Sequence, residues 1–300
     1  MIKPITSFFN DLLNDKKILF SDGATGTNLQ NRGLTRGLPS EVWVLENPEA
    51  IVTLHRDFIE SGADIILTCT FGASPLRLKQ HNLDDKYLEI NQSAVKLAKE
   101  ASQDQHVMIA ASIGPSGQML KPLGTVEFDE LKQNFSEQAK ALDDSEIDFF
   151  LVETQFDLGE ANATIEGILD VSHKPIICSF SYDRGLRTMM GVSPTQMYEE
   201  LKEYDLLAIG INCGKSLEDN LKALQELAQV STLPIWFKPN AGLPKMDTSG
   251  RPIYDTTPEI MGVESRKWIS AGAKIIGGCC GTSPQHLKVI ITNIRSSINI

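Results

Sequence analysis

Short apolar runs rich in β-branched and aromatic residues recur along the chain, separated by longer stretches with helical periodicity. Eight runs stand out: Lys17 to Phe20, Asp64 to Cys69, Val107 to Ser112, Asp148 to Glu153, Pro175 to Phe180, Leu206 to Asn212, Pro234 to Lys238 and Ala273 to Gly278. Most are continuous rather than alternating, the pattern of parallel strands whose outer face is covered. Amphipathic segments lie between them. Residues 48–62 open with Pro48, close with Gly62, and set Ile51, Leu54, Phe58 and Ile59 on one face. The segments at 193–204, 216–229 and 283–294 each begin with Ser, a good N-cap. Eight strands, each followed by a helix, predict a single (β/α)8 barrel of the α/β class over residues 1–300. An open doubly wound sheet is the alternative. No linker or shift in composition marks a boundary, so one domain is expected.

Charge narrows the functional classes. The 300 residues carry 28 basic and 39 acidic side chains, a formal net charge of −11. Without basic runs, that balance argues against nucleic acid, which is held by clustered Lys and Arg. It also disfavours an anionic membrane surface. No stretch approaches the ~20 apolar residues that span a bilayer. Asn10, Asp11, Asn14 and Asp15 interrupt the apolar residues of the N-terminus, so no signal-peptide core is expected and the cytoplasm is the expected location. Five cysteines, two of them adjacent, do not make a secreted disulfide framework. They point to metal or redox chemistry.

In a barrel of this kind the active site lies at the C-terminal ends of the strands, and the distinctive residues collect there. Asp22 to Thr27 follow the first strand, Cys69 to Gly72 end the second, and Glu153-Thr154 end the fourth. Asn212-Cys213-Gly214 end the sixth, Pro239 to Gly242 follow the seventh, and Gly277 to Thr282 end the eighth. Three thiols, Cys213, Cys279 and Cys280, would meet at one mouth. Zinc accepts thiolates at ~2.3 Å in tetrahedral geometry, so three protein ligands leave one position open, the mark of a catalytic site. The flanking Gly277 and Gly278 give the backbone freedom to turn both adjacent sulfurs inward. The competing readings are ordinary buried cysteines and a phosphate-binding turn at Gly277-Gly278, which would leave the thiols unexplained.

The motifs DGATGT (Asp22 to Thr27), ADIILTCTFGAS (Ala63 to Ser74), VET (Val152 to Thr154), GINC (Gly210 to Cys213), PNAGLP (Pro239 to Pro244) and GGCCGT (Gly277 to Thr282) occur in that order. Together they resemble the homocysteine S-methyltransferase family, with motifs nearest the homocysteine domain of cobalamin-dependent methionine synthase. The resemblance implies a zinc-dependent (β/α)8 barrel that methylates the thiol of L-homocysteine to give L-methionine. It assigns the zinc ligands to Cys213, Cys279 and Cys280, and the substrate ammonium to Asp22 and Glu153. Backbone N–H groups around Gly23, Ala24 and Gly26 are then available to the carboxylate. Asn212 is expected near the substrate and to orient the loop that bears Cys213. Asn240 is expected as the fourth ligand before homocysteine arrives.

Cys69 departs from the Asn that the cobalamin-dependent relatives carry there, and is not expected to bind zinc. Cys178 is expected in the core, and none of the five histidines stands at a strand C-terminus. The methyl donor is left open. Phe71-Gly72 lacks the Tyr of the betaine-using branch, and 300 residues leave no room for folate- or cobalamin-binding modules. A corrinoid donor is therefore expected on a separate protein, with the chain then acting as a homocysteine-activating module. A small donor such as S-methylmethionine, or a different thiol substrate, are the other expectations.

Overall fold

The computed structural model describes residues 5–103, 105–143, 145–246 and 252–297. The predicted strands are present as β1 (Leu19–Phe20), β2 (Ile65–Leu67), β3 (Met108–Ile113), β4 (Phe149–Gln155), β5 (Ile176–Phe180), β6 (Leu206–Cys213) and β7 (Ile235–Pro239). A short antiparallel hairpin, β8 (Lys245–Met246) with β9 (Pro252–Ile253), precedes the eighth barrel strand, β10 (Ala273–Ile276). The parallel sheet runs β1-β10-β7-β6-β5-β4-β3-β2. A bridge between Ser21 and Ile65 closes β1 onto β2, making the barrel.

Strand alternation sorts the side chains into two shells. Leu19, Leu67, Phe149, Leu151, Trp236 and Ile275 fill the inner cluster. Their neighbours Phe20, Ile66, Phe150, Ile209, Phe237 and Ile276 pack outward among the helices. Two of the three predicted Ser caps form, while the Ser283 hydroxyl meets His286 Nδ1 at 2.9 Å. Ser193 and Gln196 make a reciprocal capping box at the helix Pro194–Leu201, and Ser216 accepts from the N–H of Asp219 at the helix Leu217–Val230. In the helix Pro48–Glu60, the four expected apolar residues are buried.

The N-terminal segment forms a helix, Ile5–Lys16, that the strand pattern does not assign. Phe9 inserts from it into the inner cluster, edge-on to Phe149 with ring centroids 6.2 Å apart. Lys16 pairs with Asp64, directly before β2. This helix therefore seals the barrel at the N-terminal ends of the strands, and access is confined to the other end. There the interior turns polar: Ser21, Ser112, Glu153, Ser179 and Lys238 are all buried. Among the described residues, no helix is long and apolar enough to cross a membrane.

Candidate metal centre and substrate pocket

β6 and the loop after β10 bring the three thiols together. The sulfurs of Cys213, Cys279 and Cys280 all lie within 4.8 Å of one another, the only such group among the described residues that could hold a metal ion. Cys213 Sγ stands 2.9 Å from Cys279 Sγ. Backbone hydrogen bonds tie the loops together: Asn240 N to Cys213 O, Cys279 N to Pro239 O, and Ala241 N to Cys280 O.

Regular alternation would send Cys213 outward beside Ile211. Its φ of 57° turns it into the mouth instead. Thr154, two residues past the outward-packed Val152, is turned in the same way by a φ of 60° at a register shift in β4. A left-handed β-branched residue is strained and persists only where its surroundings hold it. Asn212 supplies the hold. Its Oδ1 accepts from Thr154 N at 2.8 Å and from Ser179 Oγ at 2.7 Å, while its Nδ2 donates to Thr154 Oγ1 at 2.7 Å. The same Nδ2 lies 3.9 Å from Cys279 Sγ.

The donor set suits zinc. Thiolates ~2.3 Å from a tetrahedral ion stand ~3.8 Å apart; all three sulfurs lie within 4.8 Å of one another, and the Cys213–Cys279 pair, at 2.9 Å, would open to admit the ion. The protons are also distributed unevenly. Hydrogen bonding to Cys279 and Cys280, then burial, pushes the Cys213 thiol up, while hydrogen bonds from Cys213 and Cys279 pull Cys280 down. A divalent cation held by all three would favour the ionised form of each.

The sulfurs form part of the wall of a 370 Å³ cavity, whose lining includes Gly23, Ala24, Glu41, Cys69, Phe71, Ser112, Glu153, Thr154 and Lys238. Glu153 is buried and accepts from Ser112 Oγ at 2.5 Å. Burial raises its pKa to about 7, against the nearby Lys238 charge. Gly23 sits where a Cβ would come within 2.7 Å of Thr282 Oγ1 and 2.8 Å of the Phe58 ring, so the loops after β1 and β10 meet without room for a side chain.

The remaining expected residues lie on or behind this wall. Asp22 lies behind the cavity wall: its Oδ2 accepts from Leu67 N at 2.8 Å, and its Oδ1 from Lys238 Nζ at 2.7 Å. The Ala24 N–H points at Thr282, meeting its Oγ1 at 3.1 Å and its carbonyl at 3.2 Å. Asn212 is buried and does not line the cavity. Asn240 Nδ2 donates to Gly214 O at 2.9 Å, and its Oδ1 is buried without a partner. Cys69 is on the wall, but burial holds its thiol protonated, well above the usual pKa. Cys178 is a core residue of β5. Sequence reasoning missed Lys238 and Glu41. The signal for Lys238 was its two-residue spacing from Trp236, which puts a cation on the inner face.

A barrel with three convergent thiols at its mouth offers a group that could hold a metal ion on the wall of a cavity. The sequence profile described as Homocysteine S-methyltransferase matches residues 19–294. The metallated form of the homocysteine methyltransferase MmuM from Escherichia coli is 25% identical, with a TM-score of 0.80 over 94% of this chain and 98% of that one. Its apo form gives a TM-score of 0.74 at the same identity, covering 94% and 98%. Dihydrodipicolinate synthase (DHDPS) from Cyanidioschyzon merolae, 11% identical with a TM-score of 0.53 over 94% of this chain and 75% of that one, shares the fold alone. The chain belongs to the homocysteine S-methyltransferase family. It is a methyltransferase acting on homocysteine, and its cofactor is zinc.

Proposed function

We propose that the homocysteine sulfur, having lost its proton, takes a methyl group from an activated donor, whose bond to that methyl breaks so that the demethylated donor leaves with the electron pair and methionine is released; Cys213, Cys279 and Cys280 would hold the zinc that activates the sulfur. The observation that carries this reading is the meeting of three sulfurs on the cavity wall. Zinc held there would favour the ionised form of the substrate sulfur at neutral pH, where a free alkyl thiol with pKa ~8.5 is mostly protonated.

The remaining work falls to the chain. Glu153, on the same wall, takes the substrate ammonium, and Ser112 donates to the Glu153 carboxylate and holds it in place. Asn212 fixes the strained turn at Thr154, and through it the neighbouring Glu153. Asn240 is the donor we assign to the open position before substrate binds, because its buried Oδ1 is unspent.

A second reading has the donor carried on a separate corrinoid protein. Leu38, Phe71, Leu123, Met189, Leu243, Met246 and Ile253 are exposed on the loops at the open end of the barrel, and this apolar rim favours it. We place the chain in a reducing compartment, the cytoplasm, because all five cysteines are free. The chain acts as one domain spanning residues 1–300 in this reading.

The test is a donor screen with homocysteine, read by mass spectrometry of the thiol product. Methionine from S-methylmethionine supports an enzyme sufficient in itself. Methionine only with a methylcorrinoid protein supports the second reading. Methylation of other thiols but not homocysteine refutes both.

A further inference from the structure

We propose that Lys238 recognises the carboxylate of homocysteine, so that Lys238 and Glu153 clamp the two charges at the amino-acid end of the substrate. The inference rests on the substrate reading above and deepens it. An amino acid entering a cavity keeps both charges only if each finds an opposite charge or strong hydrogen bonds there. Glu153 meets one of these needs. Among the described residues that line the cavity, Lys238 is the only basic side chain.

Its surroundings fit the role. The ammonium has three donors. Asp22 Oδ1 takes one at 2.7 Å, and Ser21 Oγ lies at 3.4 Å, a weak partner. The Trp236 ring supports the charge at 5.6 Å from its centroid. A donor therefore remains for a ligand in the cavity that Lys238 lines. Of the backbone donors that could serve instead, the Ala24 N–H is already engaged by Thr282. In this arrangement Asp22 is the anchor that holds Lys238 in place, rather than a contact for the substrate ammonium.

The pairing also determines how to test it. Lys238→Met alone would strand the Asp22 carboxylate in a buried site, so Asp22→Asn with Lys238→Met is measured beside it. Titration calorimetry on the zinc-loaded protein compares L-homocysteine with 3-aminopropane-1-thiol, which keeps the sulfur and the amine but lacks the carboxylate. We expect both variants to bind homocysteine about 10- to 100-fold more weakly, the usual range for one charge-assisted hydrogen bond. Their affinity for 3-aminopropane-1-thiol should stay within about 3-fold of the parent. An equal loss for both thiols, or no loss for homocysteine, overturns the assignment. A parent protein that binds neither thiol refutes the substrate reading itself, and this inference with it.

Discussion

Cys213 Sγ and Cys279 Sγ lie 2.9 Å apart although 66 residues separate them in sequence. The barrel makes this meeting possible: β6 and β10 flank β7, and their C-terminal ends open on one mouth. The cores are built from strand and helix side chains below the thiols, so the fold should form without the metal. Cys213→Ala should therefore lose bound zinc almost completely while its circular dichroism and melting temperature stay near those of the zinc-free parent. Plasma emission spectrometry beside a thermal melt checks this. Collapse of the fold would assign the metal a structural role.

Asn212 and Thr154 make a separable prediction. Asn212→Ala removes three hydrogen bonds around a residue with a φ of 60°. Thr154 should relax toward ordinary strand geometry and carry Glu153 with it, weakening homocysteine binding by about 10-fold or more. Thr154→Gly should cost less, because glycine adopts that φ without strain. Equal losses in the two variants would show that Asn212 acts other than through the turn.

His55 governs part of the acid stability. It is buried in the helix Pro48–Glu60 with Nε2 unpaired, and burial lowers its pKa to about 4, against the attraction of Asp22. In the unfolded chain it titrates near ~6.5. Between those values the unfolded state binds the extra proton, so this contribution is complete above pH ~6.5 and is lost as pH falls toward 4. Glu153, raised to about 7, has the opposite sign and loses stability as pH rises from ~4.5. The difference between parent and His55→Leu isolates the histidine. Denaturant melts should show the parent losing on the order of 3 kcal/mol more than the variant between pH 7 and pH 4. Parallel pH profiles would contradict the assignment.

Phe9 tests the seal at the far end. Fully buried against Phe149, it should cost about 3–5 kcal/mol when cut to Ala. Zinc content and homocysteine affinity should be unchanged below the new melting temperature, since the cavity opens at the opposite end. Loss of either in a folded variant would show that the N-terminal helix communicates with the mouth.

These residues also show what was legible in the sequence. The eight strands were readable because burial on both faces leaves apolar runs such as those at 148–153 and 206–212. The helices were readable where Ser or Pro stands at the first turn. The thiol cluster followed from placing Cys213, Cys279 and Cys280 at strand ends, given a barrel. The helix Ile5–Lys16 was not read because its apolar residues were weighed only as a signal sequence. The Asp22–Lys238 pair was out of reach because 216 residues separate its partners and only closure of β1 against β10 and β7 brings them together. The left-handed turns at Thr154 and Cys213 left no mark either, since neither residue type favours that conformation. They arise from Asn212 and the adjoining loops, which are products of the tertiary fold.

The central claim is that three protein sulfurs hold zinc and leave its remaining position to the substrate thiol. Zinc K-edge absorption on the purified protein, with and without L-homocysteine, reads the ligand atoms directly. We expect three sulfurs and one oxygen or nitrogen in the free protein, changing to four sulfurs when homocysteine is added. A sulfur count that does not change on adding saturating homocysteine would contradict the account.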